Sequence, residues 1–147
     1  MSLDVSEHEA QTLLQMDKHY MDSVSFVFTG LGEALRIPLF SDDRREEFML
    51  DITRSRIEIR KTTMQNRARK AIVLARLDLG GPPHRNPDGE EMPCPHMHLY
   101  REGYGDKWAV PLPDVFTNSS DVQLTLNEFM QYCSVVTKPN IKWGLFS

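Results

Sequence analysis

Between residues 48 and 79 the chain alternates apolar and polar side chains in runs too short for helices, and this pattern constrains the fold most. Phe48, Leu50 and Ile52 share one parity while Met49, Asp51 and Thr53 take the other, which is the two-residue period of a half-buried strand. Ile57 and Ile59 restart the alternation on the opposite parity, so a turn or bulge is expected near Arg54-Ser55. A longer strand follows over about 68–79. Within it Ala71-Ile72-Val73-Leu74-Ala75 is apolar on both faces, which suits a central strand covered on both sides.

The flanks supply helices. Ser6-x-x-Glu9 reads as a capping box ahead of Leu13, Leu14, Met16, His19 and Tyr20, predicting a helix over about 6–21. Asn118-Ser119-Ser120-Asp121 caps a second helix at about 121–133, where Val122, Leu124, Leu126, Phe129, Met130 and Cys133 form an apolar stripe. Residues 25–29 are β-rich and stop at Gly30, and 36–40 form a short extended piece in which Pro38 allows an edge strand at best. The run from Gly80 to Gly89, with three prolines and three glycines, reads as loop. Met97–Glu102 and Lys107–Leu112 make a hairpin, and Ile141, Trp143, Leu145 and Phe146 tie the tail to the body. The expected fold is α+β: an antiparallel meander of about five strands with the N-terminal and C-terminal helices on one face. A length of 147 residues suits a single domain spanning 1–147.

No apolar run reaches the roughly 18–20 residues of a membrane span, and no secretory leader pattern opens the chain. Two cysteines outside CxxC spacing do not make a disulfide scaffold, so a cytoplasmic setting is expected. The net charge of −4 conceals a strong asymmetry. Residues 1–53 hold 4 basic and 11 acidic side chains, residues 54–76 hold 8 and one, and residues 77–147 hold 5 and 9. A segment of net charge +7 can attract a polyanion to an acidic protein. Arg54, Arg56, Arg60, Lys61, Arg67 and Arg69 from this band, with Arg85 beyond it, are the expected substrate-binding cations. The alternative is that they solubilise the exposed face of a meander.

Three of the five histidines, His84, His96 and His98, fall within 15 residues, beside Arg76, Asp78, Arg85 and Cys94. On a strand, His96 and His98 point to the same face. His84 lies on the loop joining the strand that ends at Asp78 to the strand carrying the pair. Two chemistries fit. A neutral and a protonated imidazole with an arginine could cleave RNA without a metal, one taking the 2′-hydroxyl proton and the other protonating the leaving oxygen. Alternatively His84, His96, His98 and an aspartate could bind a transition metal. The +7 band favours the first, with His84, His96, His98, Arg76 and Asp78 as catalytic residues, no cofactor, and RNA as the partner. Surface loop histidines with no shared role are the plain alternative, and Cys94 reads as an incidental loop thiol.

The run Arg76-Leu77-Asp78, Pro83-His84, Pro95-His96-Met97-His98 resembles the Arg-aromatic-Asp…Pro-His…Pro-His-His-x-His pattern of TumE-like toxins, ribonucleases of bacterial toxin–antitoxin modules. Leu77 stands in place of the aromatic residue, one histidine of the last run is absent, and 85–94 lengthen the loop. The wider set Arg76-Leu77-Asp78, His84-x-Asn86-Pro87-Asp88-Gly89, His96-x-His98-x-Tyr100-x-Glu102-Gly103 and Trp108-Ala109 is similar to small prophage and mobile-element proteins. The first resemblance implies a toxin-like endoribonuclease with a cognate protein partner; the second implies a cytoplasmic accessory protein and supplies no mechanism. A non-enzymatic accessory protein that binds a host protein or nucleic acid is the alternative.

Overall fold

A computed structural model describes residues 4–28, 32–57 and 61–144. In chain order the elements are α1 (Glu7–Gln15), β1 (Lys18–His19), β2 (Phe26–Phe28), β3 (Ala34–Phe40), β4 (Glu47–Arg54), β5 (Thr62–Ala68), β6 (Ile72–Asp78), β7 (His84–Arg85), β8 (Glu91–Met92), β9 (His96–Leu99), β10 (Ala109–Pro111), α2 (Val122–Tyr132), β11 (Val135–Thr137) and β12 (Ile141–Trp143). The class is α+β as expected, but the sheet is not a five-strand meander. Eight strands pair in the order β10-β9-β6-β5-β4-β3-β1-β11, antiparallel throughout except for β1 against β11. Two small pairs stand apart, the parallel pair β2–β12 and the hairpin β7–β8.

The extra strands come from segments whose local signal is weak. Thr62, Met64, Asn66 and Ala68 of β5 are all buried on the core side, so two polar side chains interrupt the apolar parity that would have marked the strand. Residues 68–71, expected to open the long strand, instead end β5 and turn the chain at Arg69 (φ 49°) and Lys70 (φ 68°), left-handed conformations that non-glycine residues adopt at some strain. Pro38 sits within a seven-residue strand. It is tolerated because β1 pairs with β3 only at Phe40, leaving the proline's missing donor on an open edge. The first helix ends at Gln15 rather than near 21, because Lys18 and His19 pair with Val135 and Thr137 of β11. Ile57 is almost fully exposed, and the expected strand at 57–59 runs into residues outside those described, as do Leu145 and Phe146.

One face of the sheet holds the core. Leu35, Ile37 and Leu39 face the same side as Ile52, Leu50 and Phe48, then Met64, Leu77 and Met97. Ala10 and Leu13 of α1 and Leu126, Phe129 and Met130 of α2 join the same buried cluster, so both helices pack on this side. Lys18 is fully buried within it. Its ammonium donates to the carbonyls of Leu14 (2.8 Å), Met16 (2.9 Å) and Cys133 (2.7 Å), satisfying the C-terminal ends of both helices, and lies 4.6 Å from the centre of the Phe48 ring. Burial pulls its pKa down to about 8. Among the described residues no helix is long and apolar enough to cross a membrane.

Candidate functional site

The opposite face of the sheet is polar, and register dictates what it presents. Arg36, Asp51, Gln65, Arg76 and His98 pair in one row across β3, β4, β5, β6 and β9, and Thr53, Thr63, Asp78 and His96 form the next row. The alternation that sends Leu77 and Met97 into the core therefore sends Arg76, Asp78, His96 and His98 to the other face together. At this end the face is roofed by the chain between β6 and β9, which carries the β7–β8 hairpin. Asn86 docks that hairpin: its side-chain amide donates to the Ala109 carbonyl (2.9 Å) and its side-chain oxygen accepts from the Ala109 N–H (2.8 Å). This copies a strand-to-strand pairing on the outer edge of β10. His84 makes a second tie, with Nε2 2.7 Å from the Lys107 carbonyl.

Beneath the roof the three imidazoles converge. Ring centres are 4.5 Å apart for His84–His98, 4.9 Å for His96–His98 and 6.0 Å for His84–His96. Nε2 of His96 and Nε2 of His98 lie 3.1 and 3.2 Å from the same oxygen, Asp78 Oδ2. Arg76 donates from Nε to Asp78 Oδ1 (3.2 Å) and from Nη1 to Asp106 Oδ2 (2.8 Å), while its Nη2 is 3.0 Å from His98 Nε2. Burial alone would push the Asp78 carboxyl up. The hydrogen bond from His98 and the Arg76 charge outweigh it and hold the group at about 2.

Donor and acceptor counting sets what each ring can do. His84 uses Nε2–H on the Lys107 carbonyl, which leaves Nδ1 with its lone pair. His98 Nδ1–H donates to the Asp106 carbonyl (2.8 Å), so its Nε2 can either accept from Arg76 or donate to Asp78, not both. His96 faces Asp78 on one side and the Pro93 carbonyl (3.2 Å) and the Cys94 thiol (3.5 Å) on the other. Burial pushes the Cys94 thiol up, so it remains protonated near neutral pH. His96 and His98 are each 1 % exposed, whereas Arg76, Asp78 and His84 keep partial access to solvent. The mouth of the site lies on the latter three.

Of the expected substrate cations among the described residues, only Lys61 brings its charge near this cluster. Arg67 is bound by Asp51 through Nε (2.7 Å) and Nη2 (3.2 Å), Arg69 by Glu46 and Glu9, and Arg85 by Glu91. Arg54 is buried on the core side, Arg56 packs over Gly32, Lys61 lies against Gly81 of the roof, and Arg60 lies outside the described residues. Sequence reasoning missed Asp106, which holds Arg76; Asn86, which holds the roof; and Arg36, which begins the polar row. Asp106 carries no local signal, since it lies in a turn and meets Arg76 only across the sheet. The alternation of Arg36 with Ile37 could have placed it.

The fold and site thus define a class: an α+β protein whose polar sheet face ends in a roofed His/Asp/Arg cluster. The chain belongs to a family of unknown function, DUF6978, whose model matches residues 5–135 and so includes every member of the cluster. Comparison with curated proteins and with solved structures finds no match.

Proposed function

We propose that the chain is a metal-independent endoribonuclease working at the Arg76, Asp78, His84, His96 and His98 cluster. The observation that carries this reading is the convergence of three imidazoles, two of them on the Asp78 carboxylate and one of these two beside the Arg76 guanidinium. His84 Nδ1 takes the proton of a ribose 2′-hydroxyl, and the 2′-oxygen attacks the adjacent phosphorus. As the bond to the 5′-oxygen breaks, His98 protonates that oxygen, leaving a 2′,3′-cyclic phosphate and a 5′-hydroxyl. Arg76 moves onto the phosphate and offsets the charge developing there. That move precedes the proton transfer: it relieves His98 Nε2 of Arg76, so that the nitrogen carries the proton for the leaving oxygen beside Asp78, with His96 sharing the same carboxylate. The resemblance of the Arg76-to-His98 run to TumE-like ribonuclease toxins points the same way and brings with it an antitoxin-like partner, while the similarity to prophage and mobile-element proteins brings a cytoplasmic site of action.

A second reading has one observation behind it: the ligand atoms of Asp78, His96 and His98 lie within 4.8 Å of one another, close enough to chelate a transition-metal ion. Arg76 weighs against it, because its Nη2 brings a positive charge to the His98 nitrogen that an ion would need. Incubation with structured RNA in EDTA separates the two. The proposal expects cleavage to cyclic-phosphate ends, falling by about 10²–10⁴-fold in His84→Ala or His98→Ala. No cleavage by the wild type, or undiminished cleavage by either variant, refutes it.

A further inference from the structure

The polar row raises the question of what lies on the rest of the uncovered face. Beyond the cluster, Arg36, Asp51, Thr53, Thr63, Gln65, Arg67, Lys70 and Val73 line a shallow groove of about 600 Å³. It runs along the same two rows of residues that end in Arg76–His98 and Asp78–His96. From β3 to β9 the row crosses four strand spacings of roughly 4.8 Å, or about 19 Å. The one carboxylate on the groove floor, Asp51, is spent: it accepts two hydrogen bonds from Arg67 and one from Gln65 (3.0 Å). Arg36 and Lys70 are both exposed, and neither side chain has a hydrogen-bonding or ionic partner among the described residues.

We infer that this groove is the track of a single RNA strand, held by its phosphodiester backbone and led along the sheet into the histidine cluster. The inference rests on the ribonuclease reading and adds the surface and form of the substrate. Two features favour it. The free charges on the groove are positive, and the remaining polar groups, Thr53, Thr63 and Gln65, are hydrogen-bond donors suited to phosphate and ribose oxygens. The rows open directly onto Arg76, the cation at the mouth of the site. His96 and His98 themselves lie under the roof at 1 % exposure, so the strand meets the cluster at Arg76, Asp78 and His84. No aromatic side chain lines the groove, so bases are not stacked on it, and recognition is salt-dependent and tolerant of sequence. The track uses Arg36 and Lys70 in place of most of the band that the sequence singled out.

The test measures binding apart from cleavage, with a labelled 2′-O-methyl oligoribonucleotide, which lacks the attacking hydroxyl, in EDTA. Wild type is compared with the double variant Arg36→Glu/Lys70→Glu and with Lys142→Glu, a charge reversal on exposed β12 away from the groove. Folding is checked by thermal melting, and Arg36→Gln/Lys70→Gln serves if the reversals disturb it. The inference expects affinity to fall by at least about tenfold in the groove variant only. The slope of log affinity against log salt should shrink by about 1.4, two contacts at roughly 0.7 each for single strands. Wild-type binding and slope in the groove variant overturn it, as does tighter binding of a duplex than of the single strand. Groove-dependent binding without cleavage of ordinary RNA overturns the ribonuclease reading and leaves the track standing. Cleavage with groove-independent binding does the reverse.

Discussion

Replacing Asp78 with asparagine isolates the electrostatics of the site. The carboxyl is held at about 2 in the folded protein against an ordinary 3.8, despite a burial that works in the other direction. A difference of about 1.8 units at 1.36 kcal/mol each is worth about 2 kcal/mol. A surface ion pair contributes roughly 0–1 kcal/mol, so the prediction separates a partly buried, multiply bonded carboxylate from a solvated one. The sign follows from the direction. The folded pKa lies below the unfolded value, so this stability is fully present above about pH 5 and drains away as pH falls through 4 towards 2. Urea unfolding of wild type and Asp78→Asn, measured from about pH 7 down to about pH 3, provides the assay. Wild type should be more stable by about 2 kcal/mol at the upper end, and the gap should narrow steadily on acidification. An unchanged gap across that range, or no gap at neutral pH, would show that Asp78 does not hold His96, His98 and Arg76 through its charge.

Other outcomes follow from the same contacts. Lys18 has a folded pKa of about 8 against 10.5, so the unfolded chain binds more protons between those values; stability should rise with pH in that window by up to about 3 kcal/mol, and urea titrations of wild type but not Lys18→Met should show it. Asn86→Ala strands a buried N–H and a carbonyl of Ala109, a loss of about 2–4 kcal/mol, and amide exchange at 84–92 should accelerate well before global unfolding. Lys70→Gly relieves a left-handed residue and should leave stability unchanged or raise it by up to about 1 kcal/mol. The same variant should weaken single-strand RNA binding, and a melt paired with a binding titration checks both.

What the sequence made legible was whatever period two and turn chemistry could carry. Phe48, Leu50 and Ile52 mark β4 because their parity is uninterrupted, and Asp121 caps α2 at the position its side chain predicts. The histidine cluster was legible because its members are close in sequence and His96-x-His98 needs only a strand to converge. β5 was not legible, since Thr62 and Asn66 occupy core positions, and neither was the end of α1, where Lys18 leaves the helix to be buried. The pairing of the basic band was invisible for a different reason. Arg67 meets Asp51 and Arg69 meets Glu9 and Glu46 across strands and helix, so charges that look concentrated along the chain are neutralised by partners far away in it.

The buried ammonium of Lys18 has a consequence for how the protein comes apart. It serves carbonyls at 14 and 16 and another at 133, and the strand that carries it pairs in parallel with residues 135–137. If either segment departs, a charge is left in the core with part of its solvation gone, a loss far larger than that of one hydrogen bond. The first and last elements of the sheet should therefore melt as one cooperative block. Removing the segment after α2 would expose Lys18 as surely as removing α1, and neither deletion should yield a stable remainder.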